Sequence, residues 1–310
     1  MTTNDPAAAD ASPAPPVDPG AAVRRPATSL LTWGTVALVL VIVIVLVVIK
    51  VTGTSTTSTP SGAVTPSPAS PSVVKAVTAI PRSVYDAVGV KSSEAALTPP
   101  VLLHAQPALT SGGKPELVFV GNEFCPYCAA ERWALVAALS RFGSFGNTLY
   151  ATQSGSNEVF PSTPTFTFDG ARYRSKYLAA TLVEHYGDQK NGAGTAYALL
   201  EHLSPKVKGL LAKYDRKTAG SPGGIVPFVD VANRAVVAGG EFSPSVLQQL
   251  NVNQIATGLS DPKDPATQAI VAAANYLSAV ICQADGQAPA RVCTSTGVLA
   301  AADALGMNKA

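Results

Sequence analysis

The 310-residue chain is 47% hydrophobic and 14% charged, with a formal net charge of +2 at pH 7. That balance excludes a wholly disordered chain, and the scattered basic residues leave no electrostatic footprint for nucleic acid. The length is enough to bury a sizeable core.

Residues 1–29 are rich in Ala, Pro and Asp without an apolar period, and read as a disordered tail. The run from Leu30 to Ile49 carries no charge. About 20 residues of helix cross a hydrocarbon core of roughly 30 Å, so this run is expected to be a transmembrane helix. Trp33 stands near one end, where aromatic rings favour the interface. Arg24 and Arg25 before the run, against Lys50 after it, favour a cytoplasmic N-terminus. A cleaved signal peptide and a buried core helix are the rivals. The run is longer than a typical apolar signal region, no A-x-A site follows, and its second half has no polar face. Residues 50–72 are a Ser/Thr/Pro-rich stretch, expected to be an extended linker. An extracytoplasmic domain is expected over 73–310.

Within that domain, residues 81–90 suggest a short helix opened by a proline, and 101–105 a strand. Glu116 to Val120 is an apolar run ending at Gly121, as a buried strand would be. Residues 126–141 suit a helix with Leu135, Leu139 and Phe142 on one side, stopped by Gly143. Residues 148–153 and 164–168 are strand candidates, and 177–185 is ambiguous between strand and helix. Residues 195–216 are helical in composition with an interruption at Pro205. Residues 226–231 and 235–238 flank Ala232-Asn233-Arg234 as a hairpin. Ser243-Pro244 opens a helix to about Leu250, and 266–282 is an Ala-rich helix.

The four cysteines are Cys125, Cys128, Cys282 and Cys293. Strand, Cys125-Pro126-Tyr127-Cys128, then helix places Cys125 at a helix N-terminus. Unpaired amides and the helix dipole there favour a negative charge, so the thiol pKa falls below its free value of about 8.5. Cys128, one turn on, is within reach to resolve a mixed disulfide on Cys125. Zinc sites also use CxxC, but Cys282 and Cys293 lack the close spacing of a second zinc half-site. The remaining alternative is a plain stabilising disulfide.

"LVFVGNEFCPYCAAERWAL" resembles the first core strand and redox helix of the thioredoxin superfamily, with a CPYC of the glutaredoxin type. That resemblance implies an α/β thioredoxin-like fold and thiol–disulfide exchange. It also implies a cis-proline opposite the redox pair, just before a strand, a hairpin and a last helix. "GGIVPFVDVANRAVVAGGEFSPSVL" matches that order, so Val226-Pro227 is the candidate, with Thr163-Pro164 as its rival. Choosing Pro227 makes residues 155–220 an insertion, expected to be helical, and leaves a helical C-terminal extension. Val226, Pro227, Pro126 and Tyr127 are then the candidate substrate-groove residues, with the Val226 backbone holding an extended substrate segment. Two departures stand out. Phe119 occupies the position of the superfamily's buried acid, six residues before the first cysteine, and Glu123 is nearer but expected to be more exposed. No histidine lies between the cysteines. More finely, "GNEFCPYCAAERWAL", "STPTFTF", "PFVDVANRAVV" and the late cysteine pair resemble the family called domain of unknown function 929, which implies no activity.

Cys282 and Cys293 flank a Gly- and Pro-containing loop and read as a structural disulfide in an oxidising compartment. A second redox relay and two buried thiols are the alternatives. His104, His185 and His202 share no metal spacing, no G-x-S-x-G elbow occurs, and "GTSTTSTPSG" lacks a Walker lysine. No cofactor or metal is implied. Arg132 is expected on a solvated helix face and Trp133 in the core. The expected partners are protein thiols or disulfides and a membrane redox partner, with direction of electron flow left open. A non-catalytic binding module with a structural disulfide is the rival class.

Overall fold

The computed structural model describes residues 64–190, 194–215 and 225–307, and across them the chain is a mixed α/β protein. The apolar run 30–49, the tail 1–29 and most of the Ser/Thr/Pro stretch lie outside these residues. The end of that stretch is not a linker. Strand β1 (Ser67–Pro68) pairs antiparallel with Tyr150 and Ala151, and helix α1 (Pro71–Thr78) starts ahead of Val73. The Ser70 hydroxyl accepts the Val73 amide at 3.4 Å, and a proline at the first turn needs no amide partner. A Ser-Pro sequence that looks like spacer therefore acts as a helix start. Helix α2 (Arg82–Val88) follows, and Val73, Val77, Val84 and Val88 are all buried.

Strands β2 (Val101–Leu102) and β3 (Thr110–Ser111) precede β4 (Lys114–Gly121). Leu117, Val118, Phe119 and Val120 are all buried, so β4 is covered on both faces and shows no polar alternation. It feeds helix α3 (Pro126–Leu139), in which every residue except Tyr127 is buried. A one-sided helix was expected; here α1, a later strand and a long C-terminal helix pack around it. Its many alanines let those neighbours approach closely. The helix ends at Leu139 with Ser140 as C-cap, ahead of Gly143.

Residues 155–220 were expected to be a helical insertion, but the described part holds more strand than helix, joined by loops. After β5 (Gly143–Ser144) come β6 (Tyr150–Gln153), β7 (Pro164–Thr167), β8 (Arg174–Ser175), β9 (Ala179–Glu184), β10 (Tyr186–Lys190) and β11 (Tyr197–Leu199). Only α4 (Pro205–Tyr214) is helical there. Strands β1, β6 and β7 form one small sheet, β5 pairs β8, and β10 pairs β11. Strand β9 runs parallel to β4, from Glu116 opposite Ala179 to Gly121 opposite Glu184. An open edge of a buried strand is satisfied by pairing, and this outweighs the helix propensity of two alanines. Pro205 begins a helix rather than breaking one, with Ser204 accepting the Val207 amide.

Strands β12 (Phe228–Val231) and β13 (Ala235–Ala238) form the hairpin, with Asn233 and Ala232 at positive φ in its turn. The main sheet thus runs β2–β13–β12–β4, with β9 and the β3 hairpin beyond β4. A 3₁₀ turn (Pro244–Leu247) replaces the expected helix to Leu250. Then come α5 (Val252–Gly258), α6 (Pro265–Ala284), α7 (Ala290–Cys293) and α8 (Thr296–Ala304). Among the described residues α6 is the one helix long and apolar enough to cross a membrane, but 89% of its apolar window is buried inside the protein. It is a core helix.

Candidate functional site

The main sheet delivers β4 to the start of α3, and Cys125 sits there as N-cap in an extended conformation. Its sulfur accepts the Cys128 amide at 3.3 Å. As a thiol it lies 3.8 Å from the Val226 carbonyl, which can accept its proton. Both sulfurs are free. Cys125 is 7% exposed and Cys128 is fully buried. The Cys125 sulfur is therefore at the edge of the core, not out on the surface.

The two thiols are pushed apart in acidity. The Cys125 pKa is lowered, first by the hydrogen bond from the Cys128 thiol, against burial, and then by the Cys128 and Tyr127 amides and the Arg132 charge. Cys128 is pushed well above its ordinary value by burial and by its neighbour Cys125. One sulfur is set up to carry the charge and the other to keep its proton.

The Val226–Pro227 peptide bond is cis, as is Ala288–Pro289. Thr163-Pro164 instead leads into β7, where the Pro164 carbonyl accepts the Trp133 indole at 2.8 Å. Pro227 is buried, Val226 is half-buried, and the Pro227 carbonyl accepts the Gly239 amide. A side-chain carbon at Gly240 (φ +87°) would meet both Pro227 and Tyr127 at 3.6 Å. The groove candidates Val226, Pro227 and Tyr127 thus converge beside Cys125, while Pro126 is buried in the first turn of α3. Tyr127 meets the Phe160 ring edge-on at 5.8 Å, and Phe124 stacks on Tyr197 of β11 at 3.8 Å. The insertion supplies that aromatic rim. Behind the sulfurs space is tight: a Cβ at Gly121 would fall 2.8 Å or less from the Phe119 ring and 3.3 Å from the Cys128 sulfur.

Arg132 is not on a solvated face. It is wholly buried and makes a two-pronged ion pair with Glu184 of β9, Nε to Oε1 at 2.7 Å and Nη2 to Oε2 at 2.6 Å. Nη2 also donates to the Asn122 carbonyl at 2.9 Å. Burial works against its charge, but Glu184 more than offsets this, so the pKa is raised and the cation persists. An arginine was unreadable as core because its partner lies on a strand that had no clear assignment. Glu123 is likewise only 5% exposed, not a surface acid, and burial raises its pKa.

A second charged feature escaped the sequence. Glu131 of α3 and Glu241, after β13, are both wholly buried, and the Glu241 amide donates to Glu131 Oε2 at 3.0 Å. Burial pushes Glu131 up to about 7 and, with the neighbouring Glu131 charge, pushes Glu241 further. Two carboxyls in one dry site cannot both ionise cheaply, so the pair holds a proton at neutral pH. A lone glutamate among alanines on a helix gave no signal of this.

Cys282 and Cys293 are joined by a disulfide with Cα atoms 5.6 Å apart, linking α6 to α7. No residue of the CPYC segment lines the small cleft beside it. Among the described residues no group of three His, Cys, Asp or Glu is placed to hold a metal. His185 is engaged through Nδ1 with the Glu201 carbonyl at 2.7 Å.

Fold and site define a mixed α/β protein with a free dithiol at a strand-to-helix junction. The family model described as domain of unknown function (DUF929) matches residues 103–283, more than half of the chain. The chain belongs to that family. No curated protein and no solved structure matches it.

Proposed function

We propose that the protein is a membrane-anchored thiol–disulfide oxidoreductase of thioredoxin-like fold, tethered through residues 30–49 with its α/β domain on the extracytoplasmic side. The observation that carries this reading is the asymmetry of the dithiol: Cys125 caps α3 and is held acidic by the Cys128 thiol and then by the amides at the helix start, while fully buried Cys128 is held protonated. The order of strand β4, redox helix, Pro227, β12–β13 hairpin and helical tail supports the fold assignment.

In the reducing direction the Cys125 thiolate attacks a substrate disulfide. A mixed disulfide forms on Cys125, and one substrate thiolate leaves. Cys128 then loses its proton and attacks the Cys125 sulfur, which forms the Cys125–Cys128 disulfide and releases the second substrate thiolate. Two electrons pass to the substrate; the same steps reversed oxidise a dithiol. The Val226 backbone, beside the sulfur, positions an extended substrate segment.

The limited exposure of Cys125 favours a second reading, a binding module that keeps the fold without turnover. Disulfide exchange on a small protein substrate separates the two. Exchange should vanish in Cys125→Ser, and Cys128→Ser should accumulate a mixed disulfide at Cys125 seen by mass spectrometry. Wild-type exchange no faster than the Cys125→Ser background would establish the module instead.

A further inference from the structure

One arginine lies within helix α3 and another just past its end, and the structure treats them differently. Arg132 is neutralised by Glu184. Arg141, just past the C-terminus, has no carboxylate within ion-pair reach among the described residues. Its Nη1 donates to Asn275 Oδ1 and Ser278 Oγ, both at 3.0 Å, and its Nη2 to Ser295 Oγ at 3.1 Å. Its guanidinium lies over the Tyr85 ring at 4.0 Å. Neutral dipoles and a ring face make its direct contacts; burial pulls its pKa down, and the Asp86 charge, beyond ion-pair distance, only partly offsets this.

Arg141 also lines an open cleft of about 410 Å³, together with Arg82 of α2 and Arg291 of α7. Arg82 is engaged with Asp86 through Nε alone, at 3.1 Å. Asp86 is itself shared, since its other oxygen accepts the Gly297 amide at 2.9 Å. Arg291 is exposed and has no hydrogen bond or ion pair among the described residues. It sits two residues before Cys293, so the disulfide to α6 fixes the turn that carries it. Ser140 also lines the cleft, but its hydroxyl is turned away from solvent and has no partner. Three cations border this cleft against the single carboxylate of Asp86, which leaves it with an excess of positive charge.

We infer that this cleft is a binding site for a phosphate-bearing ligand, held between Arg82, Arg141 and Arg291. Guanidinium forks match phosphate oxygens in pairs. The volume exceeds a bare phosphate and falls in the range of roughly 300–1,000 Å³ typical of small-molecule pockets. Ile80 and Val292 in its wall suit a short organic body. The phosphate can belong to a soluble ester or to a lipid headgroup.

The test is calorimetric titration of the full chain in neutral detergent with glycerol 3-phosphate and, separately, with dihexanoyl phosphatidic acid. Saturable binding is expected for at least one, weakening as salt is raised. Arg291→Glu, at an exposed side chain without partners, should weaken it by about tenfold or more. Arg141→Gln should do the same, but it also removes buried hydrogen bonds, so Arg291→Glu decides. Glycerol 3-phosphate binding as tight as that of the lipid assigns a soluble ester; tighter lipid binding assigns a headgroup. No saturable binding of either probe, or binding indifferent to Arg291→Glu, overturns the site.

Discussion

The two cysteine pairs occupy opposite ends of helices. Cys125 caps the N-terminus of α3, where amides point at the sulfur. Cys282 lies near the C-terminus of α6, where carbonyls point outward and a thiolate would be repelled. The first pair is free, with the acidity of its members pushed apart. The second is bonded and closes the loop that carries Arg291. Four chemically identical side chains, all buried, thus receive two sets of properties from their hydrogen-bond partners and their place on a helix.

The largest effect is expected where a buried charge supports the first pair. Arg132→Met leaves the Glu184 carboxylate buried without its partner, at a cost of about 3–5 kcal/mol. It also removes one of the influences that lower the Cys125 pKa. Denaturant unfolding should show the loss, and Arg132→Met with Glu184→Leu should recover much of it. If the single variant is as stable as the wild type, the ion pair does not shape this region.

Next comes the second pair. Cys282→Ser with Cys293→Ser should cost about 3 kcal/mol, the loop entropy restored to the unfolded chain for a loop of this size. Exchange by Cys125 should be unaffected in the protein that remains folded. A matching loss of exchange would break the contrast and make Cys282–Cys293 a relay.

The smallest effect separates the two regions by pH. The folded-state pKa of Glu131 is raised to about 7 from the ordinary 4.5, so the folded protein binds more protons than the unfolded chain between those values. This stabilising contribution is full below about pH 4.5 and is lost as pH rises through 7, by on the order of 3 kcal/mol in all, of which only part falls within any one experimental pH window. Asp230, raised to about 6 by burial, acts in the same sense. Glu131→Gln should reduce the slope in thermal melts taken from pH 5 to pH 7.5, leaving the part that Glu241 and Asp230 carry. A slope unchanged by that substitution would show that Glu131 takes up no proton on folding.

Local chemistry was legible in the sequence, and long-range pairing was not. Strand 116–120, the CPYC turn, its helix and the hairpin around Asn233 each declare themselves within a short window. Strand β9 did not, because Ala179 to Glu184 becomes strand only through pairing with β4, far earlier in the chain. With β9 unseen, the Glu184 partner of Arg132 was invisible too, and arginine defaulted to the surface. Glu131 and Glu241 are buried against each other from distant positions, which no window connects. The start of the folded part was set too late because Ser and Pro serve equally as spacer and as helix start.

The account turns on the acidity of one sulfur. Thiolate ultraviolet absorbance of the reduced protein across pH, repeated in Cys128→Ser, measures it directly. Two separate steps are predicted for the wild type, the first below the free-thiol value of about 8.5 and the second above it. Cys128→Ser should leave a single step for Cys125. A single unperturbed step near the free-thiol value, or no titration of Cys125 in the folded protein, would contradict the account.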